Sequence, residues 1–415
     1  MRIQKILPVC VLSALLMAVG GCSITTEPKS TATEANVFTD AGTYQAYLAK
    51  LYAGLAVTGQ QGPDGNGDFQ RLDEGFSHYG RQLWQLQELP TDEAVIAWGD
   101  AGLPELHTFQ WSADNQFVQM MYYRIFYQVS MVNDFLRETT NEKLAERGQE
   151  SMADEIAGYR AEARFLRAFS YWHGIDLFGD IPLVTEEFEL NSPPPQQSTR
   201  AAIYQYVISE LNDIKSQLPA AGAGQYGRAD QGAVSMLLAK LYMNAGVYVG
   251  APDYGSAMAE IQDVIAAYSL SPDYWAMFEA DNGMNPEFIF VTPYDGQATR
   301  TWGGTTFLAH AGCGGSMSAA SFGLDFCWGG LRVKPEFVAL FTGGADSPDG
   351  RQNFWTDGQF LEIDEITNFA YGYGSPKYSN MTSLGQPGSN QTHPDTDFPV
   401  FRLGDAYLMY AELVL

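Results

Sequence analysis

At 415 residues, with 46% hydrophobic and 13% aromatic content, the chain carries enough apolar matter for one large domain or two smaller ones, which argues against disorder. A formal net charge of -26 excludes nucleic acid and anionic lipid as partners held by charge, since both need clustered Lys and Arg, and leaves a neutral ligand such as a sugar compatible. Four cysteines make no disulfide scaffold at this size; Cys10 and Cys22 lie in the leader, and Cys313 and Cys327 either bridge a loop in an oxidising compartment or stand as two buried thiols.

Arg2 and Lys5 precede an apolar run from Ile6 to Val19, too short to span a bilayer, which ends in Val19-Gly20-Gly21-Cys22. That ending resembles a bacterial lipobox. Residues 1–22 are then a lipoprotein signal peptide, and Cys22 becomes an acylated N-terminus whose several chains anchor the protein firmly. Residues 23–36, rich in Thr, Ser and Glu, read as a flexible tether, and residues 37–415 as a single domain.

Apolar spacing predicts a first helix over 41–56, with Tyr44, Leu48, Leu51, Tyr52 and Leu55 on one side. Gly62-Pro-Asp-Gly-Asn-Gly-Asp68 opens like a calcium loop, but Phe69 stands where such a loop needs Gly and Gly75 where it needs Glu; the stretch reads as a glycine-rich turn, and no metal is expected. From Arg81 to Leu106 no helical or strand period is sustained, and Pro90 and Pro104 interrupt, which predicts an ordered loop. Trp98, beside Gly99 and Asp100, has the makeup of a sugar platform: a flat apolar ring for C–H groups, with polar neighbours for hydroxyls. A Met- and Tyr-rich helix is predicted over 116–136.

The stretch from Tyr159 to Val184 organises the rest. Gly158, Ala161, Phe165, Ala168, Trp172 and Ile175 form one column on a helix, small alternating with large, which predicts a core helix packed on at least two others. Gly179 stops it and Pro182 forbids its return; His173 reads as a hydrogen-bonded core residue. Further helices are predicted over 200–218, over 232–248 and from Tyr254, with the Leu-Tyr, Ala-Gly-x-Tyr and Tyr-x-x-Ala pattern of a tetratricopeptide helix pair. Beyond Pro286 come short β-rich runs, glycine clusters and aromatics, without helical period until about Glu336. In Trp302-Gly-Gly and Trp328-Gly-Gly the paired glycines are expected to leave each indole accessible. The chain ends in an extended segment and an apolar helix from about Arg402 with no partner after it, so the natural chain is expected to continue. The fold class is mainly α: tetratricopeptide-like helix pairs (mainly 37–60, 115–270 and 402–415) form a scaffold, and loop-rich parts (61–114 and 286–400) with short strands form a binding face.

Four separated stretches carry a family resemblance: the lipobox; Leu-Pro-Thr-Asp-Glu with Trp98; Ala-Glu-Ala-Arg-Phe-Leu-Arg-Ala-Phe through Leu-Phe-Gly-Asp-Ile-Pro-Leu-Val with Gly-Arg-Ala-Asp and its helix pair; and Asp-Thr-Asp-x-Pro-x-Phe-Arg-Leu. Together they resemble the SusD/RagB family, the glycan-binding lipoproteins of the Bacteroidetes cell surface, and within it the starch-binding founder. The resemblance implies a tetratricopeptide-like scaffold docked on a SusC-like TonB-dependent transporter, a surface-exposed place at the outer membrane through Cys22, and a loop-rich face that holds glycan. It also implies a closing helix pair and C-terminal loops beyond the last helix here. The founder's aromatic arc matches Arg81, Trp98, Trp302 in place of a Tyr, and Trp328; Ala101 falls where the family has an Asn, and Asp100 is the candidate to replace it.

Three functions are compatible with these residues. The first is non-catalytic binding of starch, maltooligosaccharide or a related glucan such as laminarin, with delivery to the transporter. The second is a tetratricopeptide adaptor whose tryptophans are structural. The third is a glycoside hydrolase using paired carboxylates such as Asp92 and Glu93. The chain has no Gly-x-Ser-x-Gly, His-Glu-x-x-His, Cys-x-x-Cys or Gly-Lys, the usual marks of serine, zinc and P-loop chemistry, and no cofactor is expected.

Overall fold

The structure, a computed structural model, describes residues 37–63, 67–69, 72–189 and 192–415. The signal peptide, Cys22 and the tether lie outside the described residues, as do Asp64 and Asn66 of the glycine-rich turn. The chain divides into two compact units, Met1–Tyr44 and Gln45–Leu415. Of the first, the described part is residues 37–44, which begin a helix; the second carries everything below.

Thirteen α-helices and three two-stranded antiparallel sheets lie among the described residues. In chain order the helices are α1 (Ala41–Ala56), α2 (Tyr79–Glu88), α3 (Leu103–Thr108), α4 (Gln116–Glu138), α5 (Asn141–Glu146), α6 (Ala153–Phe178) and α7 (Arg200–Lys215). They continue as α8 (Gln231–Met243), α9 (Ala245–Val249), α10 (Tyr254–Ala267), α11 (Gly304–Gly312), α12 (Pro335–Ala339) and α13 (Leu403–Val414). Strand β1 (Ala94–Ile96) pairs with β5 (Leu331–Val333), β2 (Ile181–Pro182) with β3 (Gln197–Ser198), and β4 (Phe288–Thr292) with β6 (Phe398–Arg402).

Successive helices pack on one another, α4 on α6, α6 on α7, α8 on α10 and α10 on α13, which is the tetratricopeptide-like scaffold. Four of these helices begin at a capping side chain: Asn115, Thr199, Asp230 and Asp253 each accept a hydrogen bond from the first turn of α4, α7, α8 and α10. The stretch from Tyr159 to Val184 lies in α6 and its exit. Ala161, Phe165, Ala168 and Ile175 are buried, Trp172 is half-buried, and the helix stops at Gly179. Its charged residues tie neighbours together. Arg167, 2% exposed, bonds Asn133 at 2.6 Å and Glu210 at 2.8 Å and pairs with Glu186; Arg164 meets Glu210 and Asp213, each at 2.7 Å. Burial alone would raise the Glu210 carboxyl, but the two guanidiniums hold it below the ordinary value. Gly-Arg-Ala-Asp has the same use: Arg228 Nε donates to Glu162 at 2.8 Å, and Asp230 caps α8. His173 is buried, with Nδ1 2.9 Å from the Tyr79 hydroxyl.

Three helices depart from the expectation of loop: α2, α3, which begins at Leu103 just before Pro104, and α11. Tyr79–Glu88 is a helix whose buried positions are Tyr79, Arg81, Gln82 and Gln85, so its inner face is polar and shows no apolar period. All nine residues of α11 are buried, so it has no polar face to set against an apolar one. Asp68, from the calcium-like stretch, is held by Lys50 at 3.2 Å and Arg124 at 3.0 Å.

Candidate functional site

Strand pairing brings distant tryptophans together. Ile96 of β1 stands opposite Leu331 of β5, and the ladder runs one step further as Ala97 N donates to Gly330 O at 2.9 Å. Because the strands are antiparallel, the residues after β1 and before β5 share one end, which sets Trp98 beside Trp328. The segment ahead of β5 is in turn laced to the end of α11: Trp328 N donates to His310 O, Gly329 N to Cys313 O and Gly330 N to Ala311 O, at 2.8, 2.8 and 2.9 Å. A Cys313–Cys327 disulfide, with Cα atoms 4.9 Å apart, closes the same junction, so of the two alternatives the bridged form is present. Trp302 stands just before α11, its backbone N–H donating to Glu74 Oε2 at 2.7 Å.

The three indoles form one row. Trp98 and Trp328 have ring centroids 6.0 Å apart with planes at 50°, and Trp328 and Trp302 are 6.2 Å apart at 46°. Each is half-buried, and neighbouring planes are inclined to one another by similar angles. Phe326, 45% exposed and 6.4 Å from Trp328, extends it. Two buried histidines back the rings: His310 stacks on Trp328 at 4.9 Å and 23°, and His393 lies 4.7 Å from Trp302. His310 also ties two loops, its Nδ1 2.7 Å from Phe326 O and its Nε2 3.0 Å from Thr392 O; burial lowers its pKa, against the pull of those two carbonyls.

The glycines after each tryptophan do something other than bare that tryptophan. A Cβ on Gly330 would lie 2.7 Å from Trp98 Cζ2, and one on Gly303 2.2 Å from His78 Cβ. Each glycine makes room for a ring or side chain from another segment. Arg81 lies in the layer beneath. It is 4% exposed, with its guanidinium carbon 4.4 Å from the Phe307 centroid, 4.7 Å from that of Phe76 and 5.6 Å from that of Trp98. Burial pushes its pKa down to about 10, against the opposing pull of Asp73, Asp100 and Glu74. Asp100 is half-buried in the turn leading to α3, where its carbonyl accepts from Leu103 N at 2.9 Å. Trp98, Trp302 and Trp328 thus stand together, with Arg81 behind Trp98 and Asp100 close enough to act on its charge. Sequence reasoning passed over Phe326, His310 and His393. For Phe326 a signal existed, since residues two apart in an extended segment face the same way, as Phe326 and Trp328 do.

Comparison with known proteins agrees with this architecture. Residues 71–243 match a SusD-like family described as starch-binding and associating with the outer membrane. The chain is 34% identical to the starch-binding protein SusD of Bacteroides thetaiotaomicron over 89% of its own length and 74% of that protein's. It is 28% identical to a SusD-like protein of Formosa agariphila over 56% of this chain and 45% of that one. Among solved structures, a SusD-like carbohydrate-binding protein of Bacteroides fragilis superposes with a TM-score of 0.67 at 18% identity, over 91% of this chain and 74% of that chain. Surface glycan-binding protein A of Bacteroides thetaiotaomicron, solved with laminarihexaose, superposes with a TM-score of 0.65 at 19% identity, over 90% and 78%. No described helix is long and apolar enough to cross a membrane. With its helix-pair scaffold and a third of its residues shared with SusD over most of its length, the chain belongs to the SusD family of non-catalytic, carbohydrate-binding proteins associated with the outer membrane.

Proposed function

We propose that the protein binds an α-glucan, starch or a maltooligosaccharide, on the row formed by Trp98, Trp328, Trp302 and Phe326, and passes it uncut to a TonB-dependent transporter while anchored to the outer membrane through Cys22. One observation carries the choice of glucan: neighbouring indole planes are inclined by 50° and 46° at nearly equal spacing, so they are not coplanar. A flat β-1,4-glucan wants coplanar platforms, whereas a helical α-glucan offers a curved face to inclined ones. Laminarin, also curved, ranks second. Arg81 and Asp100 serve as support: the guanidinium holds Trp98 from behind and Asp100 stabilises its charge. Sugar platforms bind weakly per contact because hydroxyl desolvation offsets much of the gain, so several rings are needed. Affinity electrophoresis in gels containing amylopectin, laminarin or a soluble cellulose derivative tests the reading. Retardation is expected to be strongest with amylopectin and to be lost in the Trp98→Ala, Trp302→Ala double variant. Undiminished retardation of that variant would move the site elsewhere, and release of reducing sugar would contradict the non-catalytic role.

A further inference from the structure

Beyond Phe307 a half-open space of a different kind adjoins Trp84. The Phe307 ring meets Trp98 at 5.9 Å and Trp84 at 5.7 Å, and Trp84 forms part of the wall of a cavity of about 370 Å3. That size falls in the range of small-molecule sites. Its walls include Tyr378 and Phe398, stacked at 6.0 Å and 16°, and the Leu308 and Gly312 edge of α11. A second cavity of about 330 Å3, bordered by Tyr274, Trp275 and Asn353, shares Phe337, Ser375 and Lys377 with the first. Lys377 therefore stands where the two meet.

The Lys377 ammonium lies 4.4 Å from the Phe278 centroid and 5.9 Å from that of Tyr274, and among the described residues it has no ion pair. Glu88 and Glu93 both border the first cavity. Burial and the neighbouring Glu93 raise Glu88 to about 7, and burial with Arg402 lowers Lys377 to about 8. Arg332 also borders the cavity but is occupied, donating to the carbonyls of Tyr371, Gly330, Ile366 and Asn368. Two carboxyl groups and one amine offer donors and acceptors between aromatic walls. Phosphate finds no spare guanidinium here, and an amine would meet Lys377. A neutral polyol with an apolar ring face fits.

We propose that this pair of cavities, joined at Lys377, is a second carbohydrate site that takes one or two neutral sugar units independently of the indole row. The choice of sugar as ligand rests on reading the protein as a glycan binder; the place and the residues do not.

Amine footprinting tests it on the intact protein. Lys377 is acetylated with an N-hydroxysuccinimide ester at pH 8 and quantified by mass spectrometry, with and without glucose, maltose, laminaribiose or cellobiose. The expected result is a several-fold slowing of labelling at Lys377 by at least one of these sugars, equal in the wild type and in the Trp98→Ala, Trp302→Ala variant, with Lys215 unaffected. Glu93→Gln, an exposed position, is expected to weaken that protection. Equal labelling with and without all four sugars overturns the second site and leaves the indole row standing. Protection that vanishes with the two indoles overturns its independence. Protection in a protein that no polysaccharide retards supports the second site and counts against the first.

Discussion

A methyl group at Gly330 would lie 2.7 Å from Trp98 Cζ2, closer than any real Cβ contact, and the indole cannot yield without leaving the row. Gly330→Ala is therefore expected to cut glucan affinity several-fold with an unchanged far-ultraviolet circular dichroism spectrum; unaltered affinity would mean that Trp98 does not need its observed position. His78 is a second residue with a specific duty. Its Nδ1 accepts from Arg81 N at 3.1 Å, capping α2, and its Nε2 lies 3.0 Å from Ala56 O, so the ring must be neutral to hold both. Burial lowers His78 and His173 from 6.5 to about 3. For groups with depressed folded values, the stabilisation is complete above 6.5 and is lost as pH falls towards 3, at about 1.4 kcal/mol per histidine per pH unit. Urea midpoints should therefore drop between pH 6.5 and 5, before the paired carboxylates Glu186 and Glu210 begin to protonate. Glu88, raised to about 7, titrates with the opposite sign in that window, so a profile that stays flat in Glu88→Gln as well would show that the rings stay accessible to protons in the fold.

At the scale of elements, legibility in the sequence followed the apolar period. α1, α4, α6, α7 and α10 each have an apolar stripe and were readable to within a few residues. α2 was not, because Arg81, Gln82 and Gln85 are the residues it buries, and α11 was not, because all of it is buried. Those two helices hold the site: Arg81 comes from α2, while α11 supplies Phe307, His310 and the carbonyls that lace down Trp328. The indoles themselves were legible as residue types in loops. Their adjacency was not, since it depends on the β1–β5 pairing of three-residue strands far apart in the chain. The Cys313–Cys327 bridge, with a sequence separation of 14, closes the loop that ends at Phe326 and Trp328. A loop of that size is worth about 3 kcal/mol. Replacing both cysteines by Ala should lower the melting temperature and weaken glucan binding together; a loss of stability with intact affinity would place the clamp outside the site's requirements.

For the whole molecule, the division of labour is between a scaffold of packed helices and a face assembled from short strands and loops. The scaffold is held by buried ion pairs around Arg167 and Glu162, the face by rings and backbone bonds. A net charge of -26 has no part in gripping a neutral polymer, so retention on amylopectin should change little between low and high salt, whereas an adaptor binding a basic peptide would release it. The central claim is that the indoles at 98, 302 and 328 themselves touch the glucan, and the most direct test is their fluorescence during titration with maltoheptaose. A saturable change in intensity and wavelength is predicted, smaller in Trp98→Phe and in Trp302→Phe and following the same isotherm as calorimetric heat. Heat of binding with no change in tryptophan emission would contradict the account.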